Sequence, residues 1–111
     1  MSQEYKVYLA DMLEAVKKIK QYTKGLDKGS FEENDLVVDA SIRNLLIIGE
    51  AAKRVPEAVK KSHPEIEWKK VAGLRDILVH EYSGVDMSIL WDVIANKLDN
   101  LRIELGKMLK K

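Results

Sequence analysis

Apolar residues recur at intervals of three and four along most of the chain, which is the spacing that an amphipathic α-helix requires. The alternation of apolar and polar residues that is typical of a half-buried strand is rare by comparison. Only two Pro and six Gly occur in 111 residues. The pattern therefore predicts an all-α fold.

The first half of the chain predicts two long helices. One should span about residues 3–24 and end at Gly25, since glycine favours helix termination. Its expected apolar stripe comprises Val7, Met12 or Leu13, Val16 and Ile19. Ser30 and Glu33 match a capping box for a second helix that continues to about Arg54. Because residues 36–52 are apolar on more than one face, we expect this second helix to be the central one.

The second half predicts three more helices. Pro56 suits the first turn of a short helix that ends before His63 and Pro64. A helix of about residues 70–82 should follow, and a final helix of about residues 87–110 can be capped by Asp86. The apolar positions of that final helix are Leu90, Ile94, Leu98, Leu101, Leu105 and Met108. Together these elements predict an up-and-down four-helix bundle with a short extra helix, in one domain of residues 1–111.

Composition limits the possible functions. The net charge is +1, from 19 basic and 18 acidic residues. The chain therefore has no overall positive electrostatic field to attract long nucleic-acid duplexes, and any contact with nucleic acid must be local. Cysteine is absent, and the chain shows neither a glycine-rich phosphate loop nor a cluster of metal ligands, so we expect no metal and no cofactor. Its apolar runs are too short for a membrane span, and we expect a cytoplasmic protein.

One short segment, residues 75–82 (RDILVHEY), places four polar residues on a helix that otherwise has a core-like pattern. Asp76 and His80 are four residues apart, so they share a helix face with β-carbons about 5 to 6 Å apart. A carboxylate in that position can orient an imidazole and raise its basicity. Arg75 and Tyr82 lie seven residues apart on another face, and the long arginine side chain can reach around to a phosphate.

These residue types suit the cleavage of RNA without a metal ion, because RNA supplies its own nucleophile, the 2′-hydroxyl. In-line displacement needs a base and an acid on opposite sides of phosphorus, and a twofold dimer would supply two copies of His80 and Arg75. Spacing alone does not exclude a structural explanation of these residues, and it favours that explanation. In it, Arg75 forms a surface ion pair with Asp76, and His80 only packs against its neighbours.

Further polar and aromatic residues have structural explanations as well. Three polar residues interrupt the apolar central helix: Arg43, Asn44 and Glu50. They could form a buried polar network, or they could contact the residues of a functional site and hold them in position. We expect Trp68 and Trp91 to close the core rather than to stack on bases. His63, beside a proline, is expected in a loop.

The order of the motifs resembles that of the HepT-type HEPN proteins. The matching segments are Arg43 and Asn44 leading into IIGEAAKRVP (47–56), IEW (66–68), GLRDILVHEY (73–82) and Trp91. The resemblance implies an all-helical, dimeric HEPN toxin whose partner is a minimal nucleotidyltransferase (MNT) antitoxin.

The family motif R-x4-H-x-Y falls on Arg75, His80 and Tyr82, and implies a metal-independent ribonuclease in which Arg75 and His80 act at the dimer cleft and the antitoxin transfers AMP to Tyr82. Asp76 departs from the asparagine that is frequent at its position and adds a negative charge near the phosphate. A non-catalytic HEPN module that docks the nucleotidyltransferase and helps to hold its nucleotide or substrate is the alternative. A purely structural dimerisation domain is a third possibility.

Overall fold

The computed structural model describes residues 4–78, 84 and 86–110, and these residues form helices joined by turns and loops, with no strand among them. The predicted all-α class is confirmed. The first half consists of two long helices joined by a short one: α1 (Tyr5–Thr23), α2 (Lys28–Glu32) and α3 (Asp35–Arg54).

The second half contains shorter elements. Three short helices come first: α4 (Glu57–Ser62), α5 (Trp68–Ala72) and α6 (Leu74–Leu78). The C-terminal part is a longer helical rod made of α7 (Met87–Asp92), a π-helical turn (Val93–Lys97) and α8 (Leu98–Leu109). Helix α3 packs against α1, α2, α5 and α6, and α1 also packs against α8. The predicted central position of the second long helix is confirmed.

The core follows most of the predicted stripes. The six apolar positions predicted for the last helix are all buried, as are Met12, Val16 and Ile19 of α1. Val7 is an error in the predicted stripe, because its side chain is 60% exposed. It precedes Val16 by nine residues, which is about two and a half helical turns, so the two side chains point to opposite faces.

The start of the second long helix differs from the prediction. Ser30 does not cap a helix that runs to Arg54; it is the third residue of α2, whose N-cap is Asp27. The Ser30 backbone N–H donates to Asp27 Oδ1 at 2.8 Å, and the Asp27 N–H donates to Ser30 Oγ at 3.0 Å. Helix α3 then begins at Asp35, because Asn34 Oδ1 accepts the Val37 N–H at 3.1 Å. Two strong caps in succession therefore divide what the apolar pattern suggested was one helix.

The helix predicted over residues 70–82 is divided as well. Gly73 separates α5 from α6, and its N–H donates to the carbonyl of Lys69 at 3.1 Å. Residues 79–82 of that predicted helix lie outside the described residues. The last helix begins as predicted, since Asp86 Oδ1 accepts the N–H groups of Ser88 and Ile89 at 3.0 and 3.1 Å.

Within the described part of the chain, no helix combines the length and the apolar character needed to cross a membrane.

Candidate functional site

Helix α6 carries the first two residues of the predicted site. Leu74 is 7% exposed and anchors the helix in the core, whereas the side chains of Arg75 and Asp76 are both exposed. Helix α6 packs against α3 on one side and α7 on the other. No hydrogen bond or ion pair joins either side chain to another described residue, so the predicted surface pair of Arg75 with Asp76 does not form. Among the described residues, none therefore competes with an anion from solvent for the guanidinium.

The other two residues of the predicted site, His80 and Tyr82, lie outside the described residues. The Asp76–His80 and Arg75–Tyr82 relationships therefore remain predictions.

The position of α6 depends on a close contact between α3 and α5, the helix that precedes α6. This contact lies at Gly49 of α3. A β-carbon on Gly49 would stand 3.2 Å from the carbonyl oxygen of Val71 and 3.5 Å from that of Ala72. The first distance is shorter than an ordinary van der Waals contact, so glycine lets the backbone of α5 approach α3 this closely. The sequence contained the signal, an isolated glycine inside a helical apolar run, but sequence reasoning assigned it no role.

The three polar residues of α3 are separated rather than joined. Asn44 is buried, and its Nδ2 donates to the carbonyl of Ala40 in the same helix at 2.8 Å. Arg43 and Glu50 are exposed, and Glu50 pairs with Lys53 at 3.1 Å. The predicted buried network of all three residues is therefore wrong. Asn44 lies about 100° from Arg43 around the helix axis, whereas Glu50, seven residues after Arg43, lies within about 20° of it.

Arg43 and Glu50 instead line a groove between α1 and α3. The groove has a volume of about 440 Å³, and Tyr8, Asp11 and Ile47 contribute to its surface. Both acidic and basic side chains border it, with apolar residues between them.

The aromatic residues and His63 have structural roles. Trp68 is 7% exposed, and its Nε1–H donates to the carbonyl oxygen of His63 at 2.9 Å. Trp91 packs on Phe31 with ring centroids 5.1 Å apart. His63 lies in the loop that follows α4. The prediction that both tryptophans close the core is confirmed, and so is the loop position of His63.

Metal ligands are not concentrated anywhere in the described ranges. No group of three or more His, Cys, Asp or Glu side chains within residues 4–78, 84 and 86–110 is placed to hold a metal ion.

Comparison with known proteins identifies the family. A family model described as "Ribonuclease HepT-like" matches residues 12–108, which include the whole segment from Arg75 to Tyr82. A protein of Thermococcus cleftensis named "Probable ribonuclease HepT" is 37% identical over 110 residues, which cover 99% of this chain and 100% of that protein.

A second relative, from Methanocaldococcus jannaschii, is named as a gamma-glutamylcyclotransferase and candidate RNase. It is 35% identical over 111 residues, and the match covers all of this chain but only half of the relative. The chain therefore spans about half the length of that protein.

The fold also matches a solved structure. A chain in the complex of the tri-AMPylated HEPN toxin with the MNT antitoxin of Shewanella oneidensis superimposes with a TM-score of 0.71 at 20% identity, over the full length of both chains. This similarity shows a shared HEPN fold. Because the family model matches residues 12–108, this chain belongs to the ribonuclease HepT-like family.

Proposed function

We propose that this protein is a metal-independent endoribonuclease and acts as the toxin of a HEPN/MNT toxin–antitoxin pair. The observation that carries the proposal is the family match over residues 12–108. These include Arg75, whose side chain is exposed on α6 and pairs with no other described residue. A cationic side chain in that position is available for a phosphate, and a guanidinium matches a phosphate in both shape and charge.

In the proposed reaction, His80 removes the proton of the RNA 2′-hydroxyl. The 2′-oxygen attacks phosphorus, the bond from phosphorus to the 5′-oxygen breaks, and a second imidazolium protonates that leaving oxygen. The products are a 2′,3′-cyclic phosphate and a 5′-hydroxyl. Arg75 neutralises the charge that accumulates on the phosphate, and Asp76 orients His80.

A homodimer supplies the second imidazole. Each chain has only two histidines, and His63 lies in the loop after α4 with its backbone carbonyl bonded to Trp68. A twofold interface brings the same patch of both chains together, so a cleft with two His80 and two Arg75 contains a base and an acid.

The proposed control is the transfer of AMP to Tyr82 by an MNT-type partner. The phenolic oxygen attacks the α-phosphate of ATP, the new O–P bond forms, pyrophosphate leaves and the phenolic proton passes to a base. The modified side chain then carries a negative charge and a nucleotide two residues from His80, which blocks the path of the RNA and offsets the charge of Arg75. The Shewanella oneidensis complex, with its tri-AMPylated toxin, supports this form of control.

Incubation of the purified protein with RNA in EDTA tests the activity. Cleavage to cyclic phosphate ends supports the proposal. Intact RNA, from a protein that circular dichroism shows to be folded and ultracentrifugation shows to be dimeric, would contradict it.

A non-catalytic role in binding a nucleotidyltransferase is the second candidate, favoured by the same solved complex. It predicts a stable complex with an MNT-type partner and no RNA cleavage by the free protein. Intact-mass analysis after incubation with that partner and ATP tests the control step, because a gain of one or more AMP groups in the wild type that Tyr82→Phe abolishes is expected only if Tyr82 is the acceptor.

A further inference from the structure

A cavity of about 430 Å³ lies between the α5–α6 pair and the C-terminal helical rod. Its walls are largely apolar, with Val71, Leu74, Val93 and Leu101 among them. The volume falls in the range of roughly 300 to 1,000 Å³ that small-ligand sites occupy. The cavity is therefore large enough to hold one flat aromatic group.

The cavity adjoins the proposed cleavage site. Leu74, which lines it, directly precedes the exposed Arg75 on α6. Neighbouring α-carbons are about 3.8 Å apart, so the cavity wall and the residue proposed to bind phosphate are adjacent on α6, with side chains about 100° apart around the helix axis. A nucleotide could thus place its phosphate at Arg75 and its base in the cavity.

The π-helical turn is a second, independent observation at the same place. Val93, Asn96 and Lys97 belong to the turn, and all three line the cavity. A π-turn inside an α-helix is rare and frequently marks a functional position.

The polar rim of the cavity carries both acceptors and donors, since Lys70, Lys97 and Asn100 line it together with three carboxylates. Asn96 Nδ2 donates to Asp92 Oδ1 at 2.7 Å, which leaves the second carboxylate oxygen of Asp92 and the amide oxygen of Asn96 as acceptors. Glu65 and Glu67 add carboxylates on the opposite side, although Glu67 pairs with Lys70 at 3.1 Å. A ligand that presents adjacent N–H donors would match this rim.

We propose that the cavity binds a guanine base of the RNA substrate and gives the ribonuclease a preference for cutting beside guanine. This inference rests on the proposed function. Guanine presents two adjacent donors, N1–H and N2–H₂, which a carboxylate such as that of Asp92 can accept together. Adenine, cytosine and uracil do not present two adjacent N–H donors on that edge, so they cannot make the same paired contact with the carboxylate.

Isothermal titration of the full-length protein with GMP, AMP, CMP and UMP tests the pocket directly. We expect GMP to bind at least about tenfold more tightly than the other three, which is the discrimination that one good bidentate pair provides. Asp92→Asn and Asn96→Leu should each remove that preference. Asp39→Asn, a matched change at an exposed position of α3 outside the cavity, should retain it. Equal binding of the four nucleotides, or an undiminished GMP preference in both cavity variants, would overturn the proposal.

Mapping of RNA cleavage sites in the same preparation separates this inference from the proposed function. Cuts concentrated beside guanine support both. Cuts without base preference would overturn the proposal of a guanine pocket and would still support the proposed ribonuclease activity. Selective binding of GMP without any cleavage supports the pocket and contradicts the ribonuclease.

Discussion

Gly49 of α3 and Val71 of α5 come together so closely that a β-carbon on Gly49 would lie 3.2 Å from the Val71 carbonyl oxygen. This contact fixes the distance between the central helix and the pair of short helices that ends in Arg75 and Asp76. The proposed cleavage residues therefore depend on a glycine 26 positions earlier in the chain.

Gly49→Ala should lower both stability and activity. The added methyl group meets backbone rather than a flexible side chain, so α5 must shift, and overpacking of this kind costs about 1 to 3 kcal/mol of the free energy of unfolding. Thermal denaturation and an RNA cleavage assay measure the two effects.

Gly106→Ala is the matched control, because a β-carbon there meets nothing within 4 Å. Alanine is favoured over glycine inside a helix by about 0.5 to 1 kcal/mol, so this variant of α8 should be as stable as the wild type or slightly more stable. Equal destabilisation by the two substitutions would show that the Gly49 contact has no special role.

Trp68→Phe should loosen the start of α5. The Nε1–H donor is lost, but the His63 carbonyl still accepts the Ile66 N–H at 3.3 Å, so we expect a loss of about 1 kcal/mol for the hydrogen bond in addition to the smaller ring. Urea denaturation measures the change. An unchanged free energy of unfolding would mean that the bond does not contribute to the folded state.

The ion pair of Lys20 with Asp99 should give a pH-dependent contribution to stability. The Lys20 ammonium, which donates to Asp99 at 2.5 Å, holds the pKa of that carboxyl below its usual value of 3.8. The stabilisation is therefore complete above about pH 4 and is lost as the pH falls through the lower, folded-state pKa.

Asp99→Asn should accordingly melt below the wild type at pH 7 but match it near pH 2. The neutral-pH difference should be small and should shrink in 1 M salt, because both side chains are partly exposed. The exposed variant Asp39→Asn is the control. A difference between Asp99→Asn and the wild type that stays constant from pH 7 to pH 2 would be inconsistent with the ion pair as its cause.

Asp76→Asn should increase RNA cleavage. The substitution removes a negative charge beside the proposed phosphate site but keeps an oxygen that can accept a hydrogen bond from His80. Repulsion of about 4 kcal/mol applies at 4 Å for an effective dielectric constant of 20, and solvent around this exposed side chain reduces it, so a gain of a few fold is expected. Asp76→Ala should lower the rate, because it also removes the oriented acceptor; if both variants were equally active, Asp76 would have no orienting role.

The long helices were predictable because burial of an apolar stripe requires one periodicity over many residues. The six apolar positions of the last helix illustrate this, since all of them are buried. The ends of helices were harder to predict, because a cap depends on single side chains. Ser30 matched a capping box in the sequence, yet Asp27 and Asn34 are the residues that accept the free amides.

The candidate site was only partly predictable for a related reason. Arg75 and Asp76 stood out as polar residues in an apolar segment, and they are exposed on α6. The close approach at Gly49 had one signal in the sequence, a glycine inside an apolar helical run. The π-turn at residues 93–97 depends on backbone geometry, which no pattern of side-chain polarity shows. The exposure of Arg43 and Glu50 was not predicted either, because it depends on how α1 packs on α3.

RNA cleavage in EDTA by the wild type, His80→Ala and His63→Ala tests the central claim most directly, because these are the only two histidines of the chain. Loss of a general acid–base group should lower the rate by roughly 10² to 10⁴, so His80→Ala should lose nearly all cleavage while remaining dimeric. His63→Ala should retain the wild-type rate, since only its backbone carbonyl is bonded to Trp68. Cleavage by His80→Ala at the wild-type rate would contradict the account.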